Sequence, residues 1–233
     1  MNIAFLTRYD PRDINNWSGI FYHIYHKLKE KNCIEIIGPE ILGQRFQYDN
    51  GNFSYETFIP ADRYVRNISQ LISERIKELK CDLIFFGDLF FIPSGLNLPF
   101  VLFSDMTYEQ VRIHYRNKLH DDRDVDPCMN LEKIGLNSAS RIIYSSEWIK
   151  QKAIEIYQID QGKIEVVEFG ANIPNPTNYS IEINTDVCRL LFIGMDWERK
   201  NGDLVLQIFE LLKKDGFPCT CGGVLNYGNE IYQ

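Results

Sequence analysis

Seven short apolar runs recur along the chain with helical patterns between them, and this alternation constrains the fold more than any other feature. The runs are residues 3–6, 34–37, 83–86, 100–103, 142–144, 164–167 and 190–193. Runs this short and this apolar suit strands buried on both faces of a sheet. Between them, residues 61–80 place Tyr64, Val65, Ile68, Leu71, Ile72, Ile76 and Leu79 at helical spacing, with Arg63, Arg66, Glu74, Lys77 and Lys80 elsewhere around the helix. That is the pattern of a surface helix covering a sheet. Two further helices are expected at 146–157, opened by Ser146, and at 202–215, closed by Gly216 and Pro218. Strand alternating with helix predicts an α/β fold with a Rossmann-like, doubly wound parallel sheet.

The segment 171–186, ANIPNPTNYSIEINTD, is rich in proline and asparagine, has little apolar periodicity and reads as a linker. The expected organisation is therefore an N-terminal Rossmann-like domain over 1–170, a linker over 171–186 and the start of a second domain over 187–233. Residues 187–233 offer one clear strand and one clear helix before the pattern fades in CTCGGVLNYGNEIYQ. They are too few for a stable α/β domain of their own, so the second domain is expected to be incomplete.

Composition removes several classes of function. The 233 residues carry a formal net charge of -7, and no stretch concentrates Lys and Arg, so nucleic acid is not an expected partner. The N-terminal apolar run is too short for a signal peptide or a membrane span, and the expected location is the cytoplasm. The six cysteines are scattered, which without a secretory signal favours reduced thiols over a disulfide framework. There is no Walker loop, no Gly-x-Gly-x-x-Gly and no Gly-x-Ser-x-Gly elbow.

In an open α/β sheet, ligands collect at the carboxyl ends of strands, where loops lead into helix N-termini with unpaired N–H groups and about half a positive charge. Two segments have that form. The first is TRYDPRDINNWSGI, residues 7–20, entering a helix near Ser18 and Gly19. A glycine there lets a phosphate or sugar approach the backbone, although a plain Ser-Gly helix cap is the simpler alternative. The second is GMDWERKNG, residues 194–202, with Arg199 and Lys200 just before a helix start, where cations can hold a pyrophosphate. An exposed basic pair is also a common solvated surface. Asp105, in VLFSDMTYEQ, follows an apolar strand and either points from its carboxyl end or caps the next helix in competition with Thr107.

Metal sites are weaker candidates. Asp124-Val125-Asp126 has the Asp-x-Asp form but follows a helical stretch and more acids, so no metal is expected there. His23 and His26 lie three apart on one expected helix without an acidic or cysteine partner nearby, which fits a partly buried face better than a metal site. Cys219-x-Cys221 has no second pair at zinc-finger spacing.

With both strand-to-helix corners in place, the chain resembles the retaining glycosyltransferases of family four, whose GT-B fold has two Rossmann-like domains. The resemblance runs from Asn2 to about Gly216. It is carried by RIIYSSEWIKQKAIEIYQIDQGKIEVVEFGANI, similar to the family's serine-led helix followed by a strand and a glycine. The second carrier is LLFIGMDWERKNGDLVLQIFELLKKDG, similar to the opening of its donor domain. The resemblance implies transfer of a sugar from a nucleotide-diphosphate sugar to a carbohydrate, lipid or protein acceptor, with retention, no cofactor and no required metal. It leaves peripheral membrane association open. It implies that Lys200 holds the donor pyrophosphate, with Arg199 beside it, and that Ser18 and Gly19 form the cleft loop near the reaction centre. It places Asp105 where many members have a histidine beside the transferred sugar.

Three departures stand out: Ser18 replaces a glycine, Met195 stands where an arginine is frequent, and Asp105 is not histidine. The family's paired donor-site glutamates would fall beyond Gln233, so this chain by itself is expected to be inactive. The alternatives are a sugar- or nucleotide-binding module without turnover, a nucleotide-sugar epimerase or phosphorylase of the same fold, and a structural role in which the strand edge at 190–193 pairs with another chain.

Overall fold

In the computed structural model, β1 (Asn2–Leu6) is buried on both faces, as its unbroken apolar sequence requires. The structure describes residues 1–38, 48–49, 52–53, 61–87, 97–114, 125–172, 186–194, 197–198, 200–225 and 231–232, with backbone alone at 48–49, 52–53, 61–69, 125–128, 224–225 and 231–232. The remaining strands are β2 (Cys33–Ile37), β3 (Tyr48–Asp49), β4 (Asn52–Phe53), β5 (Leu83–Phe86), β6 (Phe100–Ser104), β7 (Arg141–Tyr144), β8 (Ile164–Val166), β9 (Cys188–Gly194), β10 (Cys219–Leu225) and β11 (Ile231–Tyr232). The helices are α1 (Ile20–Lys29), α2 (Ala61–Leu79), α3 (Tyr108–His114), α4 (Val125–Ser138), α5 (Glu147–Tyr157) and α6 (Gly202–Lys214).

The chain divides into two compact units, Met1–Pro174 and Asn175–Gln233. The first is built on a six-stranded sheet in the order β2-β1-β5-β6-β7-β8, parallel throughout. This is the Rossmann-like α/β fold expected from the strand and helix alternation. Side chains alternate across β1: Ile3 and Phe5 pack with Phe21 and Tyr25 of α1, whereas Ala4 and Leu6 join Ile72 and Ile76 of α2 and Ala153 and Tyr157 of α5. The two faces follow from handedness. The chain winds one way from β1 to β2 and the opposite way from β5 onward, and a right-handed crossover then puts α1 on one face and α2, α4 and α5 on the other.

Local chemistry sets the helix ends. The Ser146 hydroxyl accepts from Ile149 N–H and opens α5 as expected. At the far end of α6, Gly216 has φ +81, and the N–H groups of Gly216 and Phe217 donate to Lys213 O and Leu212 O, a Schellman stop. Among the described residues of the expected buried stripe, Leu71 departs from it at 49% exposed, because Ile72 and Ile76 take the face that meets the sheet.

The second unit is a smaller sheet in the order β11-β10-β9, with β9 and β10 parallel and α6 crossing between them. Strand β10 lies where the sequence pattern was expected to fade. Its sequence CTCGGVL has two glycines and no long apolar run, and pairing with β9 from Cys188 to Gly194 holds it extended. The even positions of β9 turn toward α6 and bury Phe192, while Leu191 and Ile193 on the other face are 67% and 70% exposed. Burial on both faces, expected for all seven runs, therefore fails for this one, and it fails also at 164–167, where Glu165 of the edge strand β8 and Val167 just after it are exposed.

Candidate functional site

The first unit has one point where the winding direction reverses, between β1 and β5, and in such sheets the carboxyl ends at that point form the ligand crevice. The loop of residues 7–19 leaves β1 there. Its start is fixed by Thr7, fully buried, whose N–H donates to Ile37 O at 3.1 Å and whose hydroxyl accepts from Tyr9 N–H. Its middle is folded on its own acids: Asp10 takes both the backbone N–H and the guanidinium of Arg12, and Asp13 takes the N–H and side-chain amide of Asn15. The carboxyl of Asp10 is held below its ordinary range chiefly by the Arg12 side chain.

The loop ends in three successive left-handed residues, Trp17 (φ 44), Ser18 (φ 55) and Gly19 (φ 77). For residues with a Cβ this conformation costs roughly 1–2 kcal/mol each, so surrounding contacts must hold it. The Trp17 ring packs on Phe21 at 4.5 Å between centroids, on Phe169 at 6.0 Å and on Phe103 at 6.2 Å. The carbonyl of Ser18 accepts from Asn172 Nδ2 at 2.8 Å. A Cβ at Gly19 would lie 3.3 Å from the carbonyl oxygen and Cγ1 of Ile14. These contacts draw together the ends of β1, β6 and β8.

Helix α1 starts on this turn with Gly19 at its N-cap; its first N–H, that of Ile20, donates to Trp17 O, and among the described residues no side chain caps the helix. Of the Ser-Gly cap, Gly19 takes the N-cap position, while Ser18 contributes its carbonyl to Asn172 and no hydroxyl cap. What remains are the N–H groups after Ile20, with a favourable dipole at the switch point, chemistry suited to a phosphate or a sugar hydroxyl.

Asp105 stands at the carboxyl end of β6, two residues after Phe103. The competition for the next cap is decided by Thr107. Its N–H donates to Gln110 Oε1 at 2.9 Å while its hydroxyl accepts from Gln110 N–H at 3.3 Å, a reciprocal capping box. Asp105 is thereby released from capping duty. Burial pushes its carboxyl above the usual range, its own backbone N–H opposing the shift. A carboxyl group in that state can accept a hydrogen bond from a sugar hydroxyl or exchange a proton.

In the second unit, Lys200 lies at the carboxyl end of β9 and immediately before α6. Its stem lies against Gly194, where an added Cβ would meet Lys200 Cγ at 3.2 Å. Helix α6 begins after Asn201, which is left-handed (φ 58) and donates no side-chain cap. Trp197 closes the turn: its carbonyl accepts from Gly202 N–H at 2.8 Å, and its indole N–H donates to Asp203 at 2.9 Å. A Cβ on Gly202 would come within 2.2 Å of that indole, so only glycine fits. The sequence signal for this packing was present, a tryptophan five residues before a glycine at a helix start, but no spacing rule ties the two. Arg199 and Met195 lie outside the described residues.

Ser18, Gly19 and Asp105 thus share the carboxyl-end side of one sheet, and Lys200 holds the equivalent position in the other unit. His23 and His26 are both exposed against Tyr22, at 5.4 and 4.3 Å between ring centroids, rather than partly buried, because Phe21 and Tyr25 take the inward face of α1. Asp124 lies outside the described residues, and Val125 and Asp126 belong to the backbone of α4. Among the described residues no three His, Cys, Asp or Glu side chains gather into a group that could hold a metal ion, and no helix is long and apolar enough to cross a membrane.

No protein-family model matches the chain, and no curated protein matches it in sequence. Among solved structures it is similar to a glycosyltransferase from Rickettsia africae ESF-5 (15% identity, 97% of this chain and 68% of that one, TM-score 0.44). It is also similar to a sucrose-phosphate synthase from Thermosynechococcus elongatus (12% identity, 96% and 70%, TM-score 0.49). A third is the UDP-GlcNAc 2-epimerase of Methanocaldococcus jannaschii (16% identity, 95% and 65%, TM-score 0.48). The chain thus spans about two thirds of the length of each.

Proposed function

We propose that this chain forms the acceptor-side unit and the opening of the donor-side unit of a nucleotide-sugar-dependent glycosyltransferase that retains anomeric configuration. The observation that carries this reading is the glycine-led start of α1, without a side-chain cap among the described residues, at the switch point of the first sheet, with Asp105 released from capping on the same side. The second support is Lys200 at the equivalent corner of the second unit, on the motif that resembles the family's donor-domain opening.

In this reading the donor is a nucleotide-diphosphate sugar, and no metal or other cofactor is required. As the glycosidic bond to the donor breaks, negative charge grows on the departing pyrophosphate. Lys200, with Arg199 beside it, and the N-terminal dipole of α6 offset that charge. Preorganised groups of this kind contribute about 3–4 kcal/mol each to transition-state stabilisation. The carboxyl of Asp105 orients the transferred sugar through its hydroxyls. The acceptor, a carbohydrate, lipid or protein, enters along the loop of Trp17, Ser18 and Gly19.

The test is a panel of nucleotide-diphosphate sugars, assayed for binding by thermal shift and for turnover by nucleoside diphosphate release. It uses protein expressed from the gene read through and past the codon for Gln233. Transfer to an acceptor with the anomeric configuration kept supports the reading. Binding without turnover supports a non-catalytic module, and sugar inversion at a ring carbon without an acceptor supports an epimerase; either outcome sinks it.

A further inference from the structure

Glu132 is the only buried carboxyl group among the described residues, 6% exposed, and the function proposed above gives it no task. It reaches from α4 to the start of α3. Both of its carboxyl oxygens accept from Tyr108 N–H, at 2.9 and 3.0 Å, and Tyr157 Oη of α5 donates to Oε2. From β7 comes Tyr144, whose buried hydroxyl has no hydrogen-bond partner among the described residues. On α3, Glu109 adds a nearby charge and is paired with Arg112 through two contacts of 2.6 Å.

Helix α3 does not need Glu132 in order to start, because Thr107 and Gln110 already cap it reciprocally. The additional carboxylate is costly to bury with no cation in contact among the described residues. What it does is tie Tyr108, three residues past Asp105, to α4 and α5.

We propose that Glu132 is a positioning residue for the β6–α3 corner, its carboxylate holding the first N–H of α3 so that Asp105 stays fixed at the carboxyl end of β6. The proposal rests on the reading that Asp105 serves the transferred sugar. The tie depends on ionisation. A carboxylate offers two acceptor oxygens to Tyr108 N–H and Tyr157 Oη, and a proton on either oxygen takes one of those places. Burial is the main cause that raises the Glu132 carboxyl to about 7, with the charge of Glu109 adding to it and the bonds from Tyr157 and Tyr108 opposing it. The corner therefore responds to pH near neutrality.

The experiment follows the Tyr108 amide and the Asp105 side-chain carboxyl carbon by NMR from pH 4 to 9 in the whole chain. Both signals should share a step at the Glu132 midpoint near 7, in addition to the step of Asp105 itself. Glu132→Gln should abolish the shared step and leave the Asp105 step in place. Tyr157→Phe, which removes a donor to the carboxylate, should move the shared step to higher pH; this second variant keeps the test decisive if Glu132→Gln does not fold. An Asp105 carbon without the shared step, or a step that persists in Glu132→Gln, overturns the proposal. Because no donor or acceptor is present, failure here leaves glycosyl transfer standing, and failure of the donor panel leaves this coupling standing.

Discussion

Asn172, just past β8, donates from Nδ2 to the carbonyl of Ser18 at 2.8 Å, joining positions 154 residues apart across the carboxyl ends of the first sheet. The bond falls on the middle of the three left-handed residues that start α1. Asn172→Ala should lower stability by about 0.5–1.5 kcal/mol in urea denaturation. Hydrogen exchange should speed up at residues 17–20 before anywhere else in the first unit. Uniform exchange across the sheet would mean that the bond does not hold the turn.

Gly87, following β5, sits under the ring of Phe21, and a Cβ there would come within 2.3 Å of Cε1. Phe21 is 2% exposed and packs edge-on to Phe5 at 6.0 Å, so its ring has little room to move. Gly87→Ala should cost about 1–3 kcal/mol through overpacking. A midpoint of unfolding unchanged within error would show that α1 shifts without cost.

Ionisation of Glu132 should also set a pH dependence of global stability. Its folded midpoint, about 7, lies above the ordinary value of 4.5 that the unfolded chain would have. The folded state therefore holds the proton where the unfolded state has lost it. The contribution is fully present below about pH 4.5 and is lost as pH rises toward 7, on the order of 3 kcal/mol in total. Chemical denaturation across this window should show that decline in the native chain and a flatter profile in Glu132→Gln. Equal slopes in the two proteins would contradict the assignment.

Lys200→Ala, made in protein that turns over a nucleotide-sugar donor, should lower kcat by about 100-fold or more with a smaller change in KM, since the charge it offsets appears only as the bond breaks. Steady-state kinetics with saturating donor read this directly. A variant that keeps most of its kcat would remove Lys200 from the mechanism.

The alternation of short apolar runs and amphipathic stretches determined, by itself, the class of the fold and the place of the seven strands on those runs and of α1, α2, α5 and α6, because strand and helix periods are local properties of the chain. Ser146 marked the start of α5 and Gly216 the end of α6 for the same reason: caps are read within one turn. The sequence also placed Gly19, Asp105 and Lys200 after strands, which is a matter of order along the chain. Tertiary structure decided the rest. Strand β10 was invisible in CTCGGVL because its extension is enforced by pairing with β9 rather than by its own side chains. The choice of Thr107 over Asp105 as cap, the ring of Trp197 over Gly202 and the left-handed Trp17 held between Phe103 and Phe169 all depend on contacts that no periodicity encodes. Glu132 is the clearest case. An acid in an ordinary amphipathic helix has the pattern of a solvated side chain, and only the convergence of α3, α4, α5 and β7 removes its water and leaves Tyr108 and Tyr157 as its partners.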